Sequence, residues 1–97
     1  MDYRELNDFE LVSYVRENSE EANDLLYDKY KPLIEKNARR LLKYCNYNGL
    51  ELNDLIQEGM LGLSRAIDTF NDSKEASFYT YAKTCIERKQ LSAIISS

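Results

Sequence analysis

Histidine and tryptophan are absent from this 97-residue chain, cysteine occurs twice, proline once and glycine three times. Without histidine, the side chain that most often moves protons near neutral pH is missing. Cys45 and Cys85 alone cannot build a four-ligand thiolate or Cys/His zinc site. Triad chemistry and metal hydrolysis are therefore not expected, no cofactor is expected, and the chain does not read as an enzyme. No apolar run approaches the roughly 18 residues a spanning helix needs. The start, Met1-Asp2-Tyr3-Arg4-Glu5, has neither a basic leader nor an apolar signal segment, so no membrane partner is expected. Two distant cysteines in a cysteine-poor chain fit free thiols in a reduced, cytoplasmic protein.

What is present suits one small domain. A chain of this length buries only roughly 60–65% of its unfolded surface, so it can build one modest core and must work on its outside. The net charge of −4 opposes non-specific clinging to nucleic acid, but the charge is zoned. Residues 1–35 carry ten acids against four bases, 36–50 four bases (Lys36, Arg39, Arg40, Lys43) and no acid, 51–72 five acids against one base, and 73–97 four bases against two acids. A polyanion is expected to avoid the N-terminal third.

Leucine outnumbers valine, isoleucine and threonine together, 13 to 11, and no strict period-two stretch demands a sheet, so the composition leans helical. The pattern predicts a compact all-α bundle of about four helices in a single domain, 1–97, with 1–7 as a flexible lead. Asn7 or Asp8 caps a first helix that runs to about Glu17. Asn18 or Ser19 caps a second, with the apolar stripe Ala22, Leu25, Leu26, Tyr30, Leu33 and Ile34. That helix is expected to kink or restart at Pro32, which lacks an amide hydrogen. Tyr44 to Gly49 reads as a turn. A third helix opens at Asn53-Asp54, with Ile56, Met60, Leu63, Ile67 and Phe70 as its buried stripe. Gly59 and Gly62 beside that stripe point either to a neighbouring backbone passing close or to a looser helix, since each glycine costs a helix about 1 kcal/mol relative to alanine. After a polar loop, Ser77 caps a last helix with Phe78, Ala82, Cys85, Ile86 and Ala93 on one face, near which Lys89 must either snorkel or mark a bent terminus. The chain stops at Ile94-Ile95-Ser96-Ser97 without a helix-terminating signal, as expected of a piece of a longer protein.

Two constellations stand out. On the third helix, Asp54, Gln57, Glu58, Leu61 and Arg65 share one side; they are either a docking patch or an ordinary solvated face with one exposed leucine. Asp54 and Glu58 are too few for catalysis or metal binding without a third ligand. On the last helix, Phe78, Tyr79 and Tyr81 crowd the first turn, Lys74 precedes them, and Tyr81, Thr84, Arg88 and Leu91 follow at steps of three or four. Rings interleaved with cations suit unstacked bases and their phosphates. The alternative is that Phe78 and one tyrosine are core anchors.

The run Asp54-Leu55-Ile56-Gln57-Glu58-Gly59-Met60-Leu61-Gly62-Leu63, followed by Ala66-Ile67-Asp68-Thr69-Phe70 and Phe78-Tyr79-Thr80-Tyr81-Ala82, resembles the second conserved region of bacterial RNA polymerase sigma factors. The continuation Cys85-Ile86-Glu87-Arg88 looks most like the sigma-H group of alternative sigma factors. The resemblance covers nearly all of residues 8–97. It implies a transcription initiation factor domain with two partners. Core RNA polymerase, through the clamp coiled coil of its largest subunit, would be bound by Asp54, Gln57, Glu58 and Leu61. The non-template single strand of the minus-ten promoter element would be recognised and its melting assisted by Phe70, Lys74, Phe78, Thr80 and Tyr81, with Thr84 beside them and Arg88 and Leu91 at the upstream duplex edge. An anti-sigma factor is a further partner the family allows. The chain departs from the housekeeping pattern with Thr84 and Cys85 in place of two tryptophans and Ala76 in place of an aromatic, which implies weaker melting and stricter dependence on promoter sequence. The family's later domains are absent from these residues. The competing expectation is a helical protein–protein interaction module that occupies the polymerase clamp without touching DNA.

Overall fold

Each of the four helices begins where a side chain accepts an otherwise orphaned amide proton. Asn7 Oδ1 accepts from Glu10 N at 2.8 Å, and Glu10 answers by accepting from Asn7 N, a capping box that starts α1, Asp8–Arg16. Ser19 Oγ accepts from Ala22 N at 3.2 Å and starts α2, Glu20–Leu42. Asn18 between them takes a left-handed conformation, φ 67°. Its amide and that of Ser19 reach back to Val15 O and Tyr14 O, the paired bonds that close a helix through a left-handed residue. Ahead of Leu52–Thr69, α3, Asp54 Oδ2 accepts from Glu51 N at 2.8 Å. The last helix, Phe78–Ser96, α4, follows Ser77, whose Oγ accepts from Thr80 N at 3.2 Å.

The computed structural model describes residues 2–45, 49–71 and 77–96, and among these there is no strand. The expected four-helix, all-α architecture is what the chain adopts. Two expectations change. The second helix runs unbroken through Pro32 instead of restarting. Pro32 and Asp28, whose carbonyl loses its usual amide partner, are both exposed, so water can serve that carbonyl. The segment expected as a flexible lead holds a 3₁₀ turn, Tyr3–Glu5, whose Tyr3 ring meets Tyr14 edge-on at 5.2 Å.

The main core joins Leu11 and Val12 of α1, Leu26, Tyr30 and Ile34 of α2, Leu63, Ala66 and Ile67 of α3, and Phe78, Ala82 and Ile86 of α4. On α3 the buried centre is Leu55, Gly59, Gly62, Leu63, Ala66 and Ile67, while Ile56 and Met60 are only half-buried. The apolar stripe is thus turned toward the glycines, because α4 lies directly on them. A Cβ at Gly62 would stand 2.8 Å from Cys85 O and from Ile86 Cα, the close backbone approach the two glycines pointed to. Cys45 and Cys85 are free, the first buried and the second half-buried.

One polar knot lies inside. Gln90 is fully buried and donates through Nε2 to Ile34 O at 3.1 Å and Leu55 O at 3.0 Å, while its Oε1 accepts from Asn37 Nδ2 at 2.6 Å. Arg40 donates to Asn37 Oδ1. Among the described residues no buried side-chain nitrogen or oxygen is left unpaired. Gln90 therefore ties α4 to both α2 and α3 and limits how either can rotate. A second polar contact couples α1 to α2: Tyr30 OH donates to Asp8 Oδ2 at 2.5 Å, and Lys29 pairs with the same carboxylate. Burial, then the Asp8 carboxylate, pushes the Tyr30 phenol well above its usual range.

Candidate functional site

The outer side of α3 is open. Asp54, Gln57 and Arg65 are exposed, Glu58 is half-buried and Leu61 is 55% exposed. Because α4 takes the glycine side of this helix, the described residues leave Asp54, Gln57 and Leu61 open, with only Glu58 partly covered. Asp54 has a structural task as well, since its carboxylate holds the first amide of the helix start. Glu58 Oε2 sits 3.8 Å from Lys89 Nζ, so Lys89 of α4 reaches across to a carboxylate on α3 and keeps its head at the surface beside an apolar face.

The second constellation is built on a chain of rings. Tyr30 meets Phe78 edge-on at 5.8 Å, Phe78 meets Phe70 edge-on at 5.3 Å, and Phe70 lies 5.7 Å from Tyr81 at a tilt of 48°. Phe9 of α1 closes on Phe70 at 6.2 Å. Phe70 and Phe78 are only 8% and 3% exposed. This corrects the expectation that both touch a strand: they are core anchors, drawn in because a domain this small needs large apolar side chains at its centre. What they present to solvent is Tyr81, half-buried at the end of the series.

Tyr81 lines an open groove between α3 and α4 of about 430 Å³, together with Arg65, Thr84, Cys85, Arg88, Lys89 and Ser92. Among the described residues three cations line it, Lys89 with Glu58 as its neighbour at 3.8 Å and Arg65 and Arg88 without a carboxylate in the lining, so its potential suits an anion. Arg88 is exposed, Thr84 is half-buried, and Thr80 and Leu91 lie on the outer side of α4, Leu91 being 47% exposed. Lys74 lies outside the described residues, as does Ala76. Sequence reasoning left Lys89 without a role and placed Arg65 on the acidic side, because the spacing on one helix does not show which residues of a second helix face them across a groove.

A further cleft was missed. On the opposite flank of α4, Tyr79, Lys83 and Glu87 face Leu33, Lys36, Asn37 and Arg40 of α2 around an opening of about 300 Å³. The basic run in residues 36–50 was visible as charge, but its meeting with an exposed tyrosine depends on how α2 and α4 cross.

Comparison with known proteins bears on both faces. Residues 26–96 match the family model described as Sigma-70 region 2. The chain belongs to the Sigma-70 region 2 family. The match takes in α3 and α4 entirely and α2 from Leu26. The RNA polymerase sigma-H factors of Bacillus licheniformis and Bacillus subtilis are each 32% identical to it over 90 residues, 93% of this chain and 39% of the relative. The RNA polymerase sigma-C factor of a Nostoc species is 44% identical over 69 residues, 67% of this chain and 16% of the relative. The expected likeness to sigma-H holds, and the chain spans about two fifths of the length of those two relatives. No helix among the described residues of this region 2 domain is long and apolar enough to cross a membrane.

Proposed function

We propose that the chain is a transcription initiation module. It docks on core RNA polymerase through the outer side of α3, using Asp54, Gln57, Glu58 and Leu61. Along α4 it holds the non-template strand of a melting minus-ten promoter element. The single observation that carries this reading is the pairing of two open faces on two helices locked together at Gly62. One is acidic with an exposed leucine; the other is a half-exposed tyrosine over a groove of three cations.

In this reading, Tyr81 offers its ring to an unstacked base while Arg65, Arg88 and Lys89 neutralise adjacent phosphates. Thr80 and Thr84 flank Tyr81 on the strand, and Arg88 and Leu91 meet the upstream duplex edge. The cleft around Tyr79, Lys36, Arg40 and Lys83 offers a second basic stretch to the same strand once it has crossed the first turn of α4. Phe70 and Phe78 act beneath, by holding Tyr81 in place. Opening of the duplex is driven by exchanging stacked bases for bases held on the protein, not by nucleotide hydrolysis. The ten acids of residues 1–35 discourage the module from binding duplex before polymerase delivers it. A protein-binding mimic of the family would have no use for a tyrosine over a groove lined by three cations, so the strand-binding reading is preferred.

Charge reversal at Glu58 tests the docking face. Immobilised chain is expected to capture core polymerase of Bacillus subtilis, and Glu58→Lys is expected to lower capture by about tenfold or more, since the change both removes an acceptor and sets a second ammonium group beside that of Lys89. Circular dichroism confirms the variant is folded. Undiminished capture by folded Glu58→Lys would remove the docking assignment.

A further inference from the structure

Thr69 closes α3 one residue before Phe70, and its hydroxyl makes two contacts. Thr69 Oγ1 lies 2.7 Å from Arg65 O and 2.7 Å from the Tyr81 hydroxyl. A hydroxyl has one proton to give. The Arg65 carbonyl can only accept, so Thr69 donates there, and Tyr81 must be the donor in the second bond. The phenol proton of Tyr81 is therefore committed to Thr69. With Phe70 against one side of the ring and Thr69 holding its tip, Tyr81 is fixed at both ends.

The support behind that grip is itself rigid. Arg16, from α1, donates through Nε to Ile67 O at 2.8 Å and through Nη2 to Phe70 O at 2.7 Å. A cation thus sits on the carbonyls that end α3, where the helix dipole favours it. Phe70 is held in turn by Phe78 and Phe9. Thr69 stands between these contacts, so its hydroxyl is a fixed point in relation to α4.

We infer that Thr69 is a positioning residue for strand binding: it presets Tyr81 in the conformation that receives a base, so that ordering the tyrosine is not left to the moment of binding. The inference rests on the strand-binding role of Tyr81 proposed above. Thr69 does not touch the base in this account; it acts through the tyrosine.

The test uses the chain assembled with core polymerase of Bacillus subtilis and a fluorescein-labelled single-stranded oligonucleotide enriched from a random pool by the wild-type complex. Thr69→Val and Tyr81→Phe each delete the bond from one side, and each is expected to weaken binding about three- to tenfold, the size of the cost of ordering one side chain. Thr69→Ser keeps the hydroxyl and is expected to stay within about twofold of wild type. The Thr69→Val/Tyr81→Phe double variant is expected to be no weaker than the weaker single variant, because both remove the same bond. A merely structural role for Thr69 would instead add to the Tyr81→Phe effect. Additive losses, a Thr69→Ser loss as large as that of Thr69→Val, or unchanged or tighter binding by Thr69→Val would overturn the inference. Tyr81→Ala separates the two failures. If it weakens binding while Thr69→Val does not, only the positioning role falls; if it has no effect, the strand-binding reading falls and takes the inference with it.

Discussion

Gly62→Ala is expected to lower the melting temperature by about 10 °C or more, although alanine is the better helix former by about 1 kcal/mol. At an open helical position that propensity would raise stability. Here the added methyl group would stand 2.8 Å from Cys85 O and Ile86 Cα and 3.1 Å from Cys85 C. All three are backbone atoms, so no side-chain rotation relieves the clash and α4 must move away from α3. Overpacking of this kind costs about 1–3 kcal/mol and sometimes more. The total stability of a domain this size is of the order of 5–15 kcal/mol, so a net loss of about 2 kcal/mol is severe. Movement of α4 would also widen the groove that holds Tyr81, Arg65 and Arg88. Thermal melting followed by circular dichroism gives the answer, and a raised melting temperature would show that the helices are not in backbone contact at Gly62.

Gln90→Ala is expected to cost about 3 kcal/mol, and Gln90→Leu distinctly less. The alanine variant leaves a cavity among three helices and strips Asn37 Nδ2 of the oxygen it meets at 2.6 Å. Leucine restores the volume but still leaves that amide, on a residue only 5% exposed, without its acceptor. Ile34 O and Leu55 O suffer less, because both lie within helices that supply a backbone amide four residues on. Adding Asn37→Leu to Gln90→Leu removes the orphaned amide and is expected to recover part of the loss, as replacement of a whole buried polar pair often does. Urea unfolding of the three variants would show this order. Equal losses for alanine and leucine would mean that neither cavity nor lost volume matters at this position.

Of these two positions Gly62 was visible in the sequence, whereas Gln90 marks where sequence reading stops. Helix starts at Asn7 and Ser19 were legible because capping is decided within four residues. The stripe of α3 had the right period but the wrong centre: periodicity shows that one side is buried, whereas the helix that lies on it decides which, and α4 chose the glycines. Gln90 was invisible because a glutamine in a charged helix reads as surface until three helices close around it. Rings posed the opposite problem. Composition could not distinguish a stacking surface from a core anchor, and Phe70 and Phe78 proved to be anchors while Tyr81 stayed accessible. The acidic side of α3 was readable from spacing alone, since one helix carries all of it. The groove needed two helices, so Arg65 and Lys89 gained their place beside Tyr81 only when α3 and α4 were seen together.

The account depends most on two faces serving two separate partners, and Tyr81→Ala measured against both tests it most directly. With the chain bound to core polymerase, affinity for the enriched single strand is expected to fall by about tenfold or more, the worth of one base stacked on one ring. Capture of polymerase by the same folded variant is expected to match wild type, because Tyr81 lies off the Gln57 and Leu61 side of α3. Unchanged strand affinity, or a loss of polymerase capture in step with it, would contradict the account.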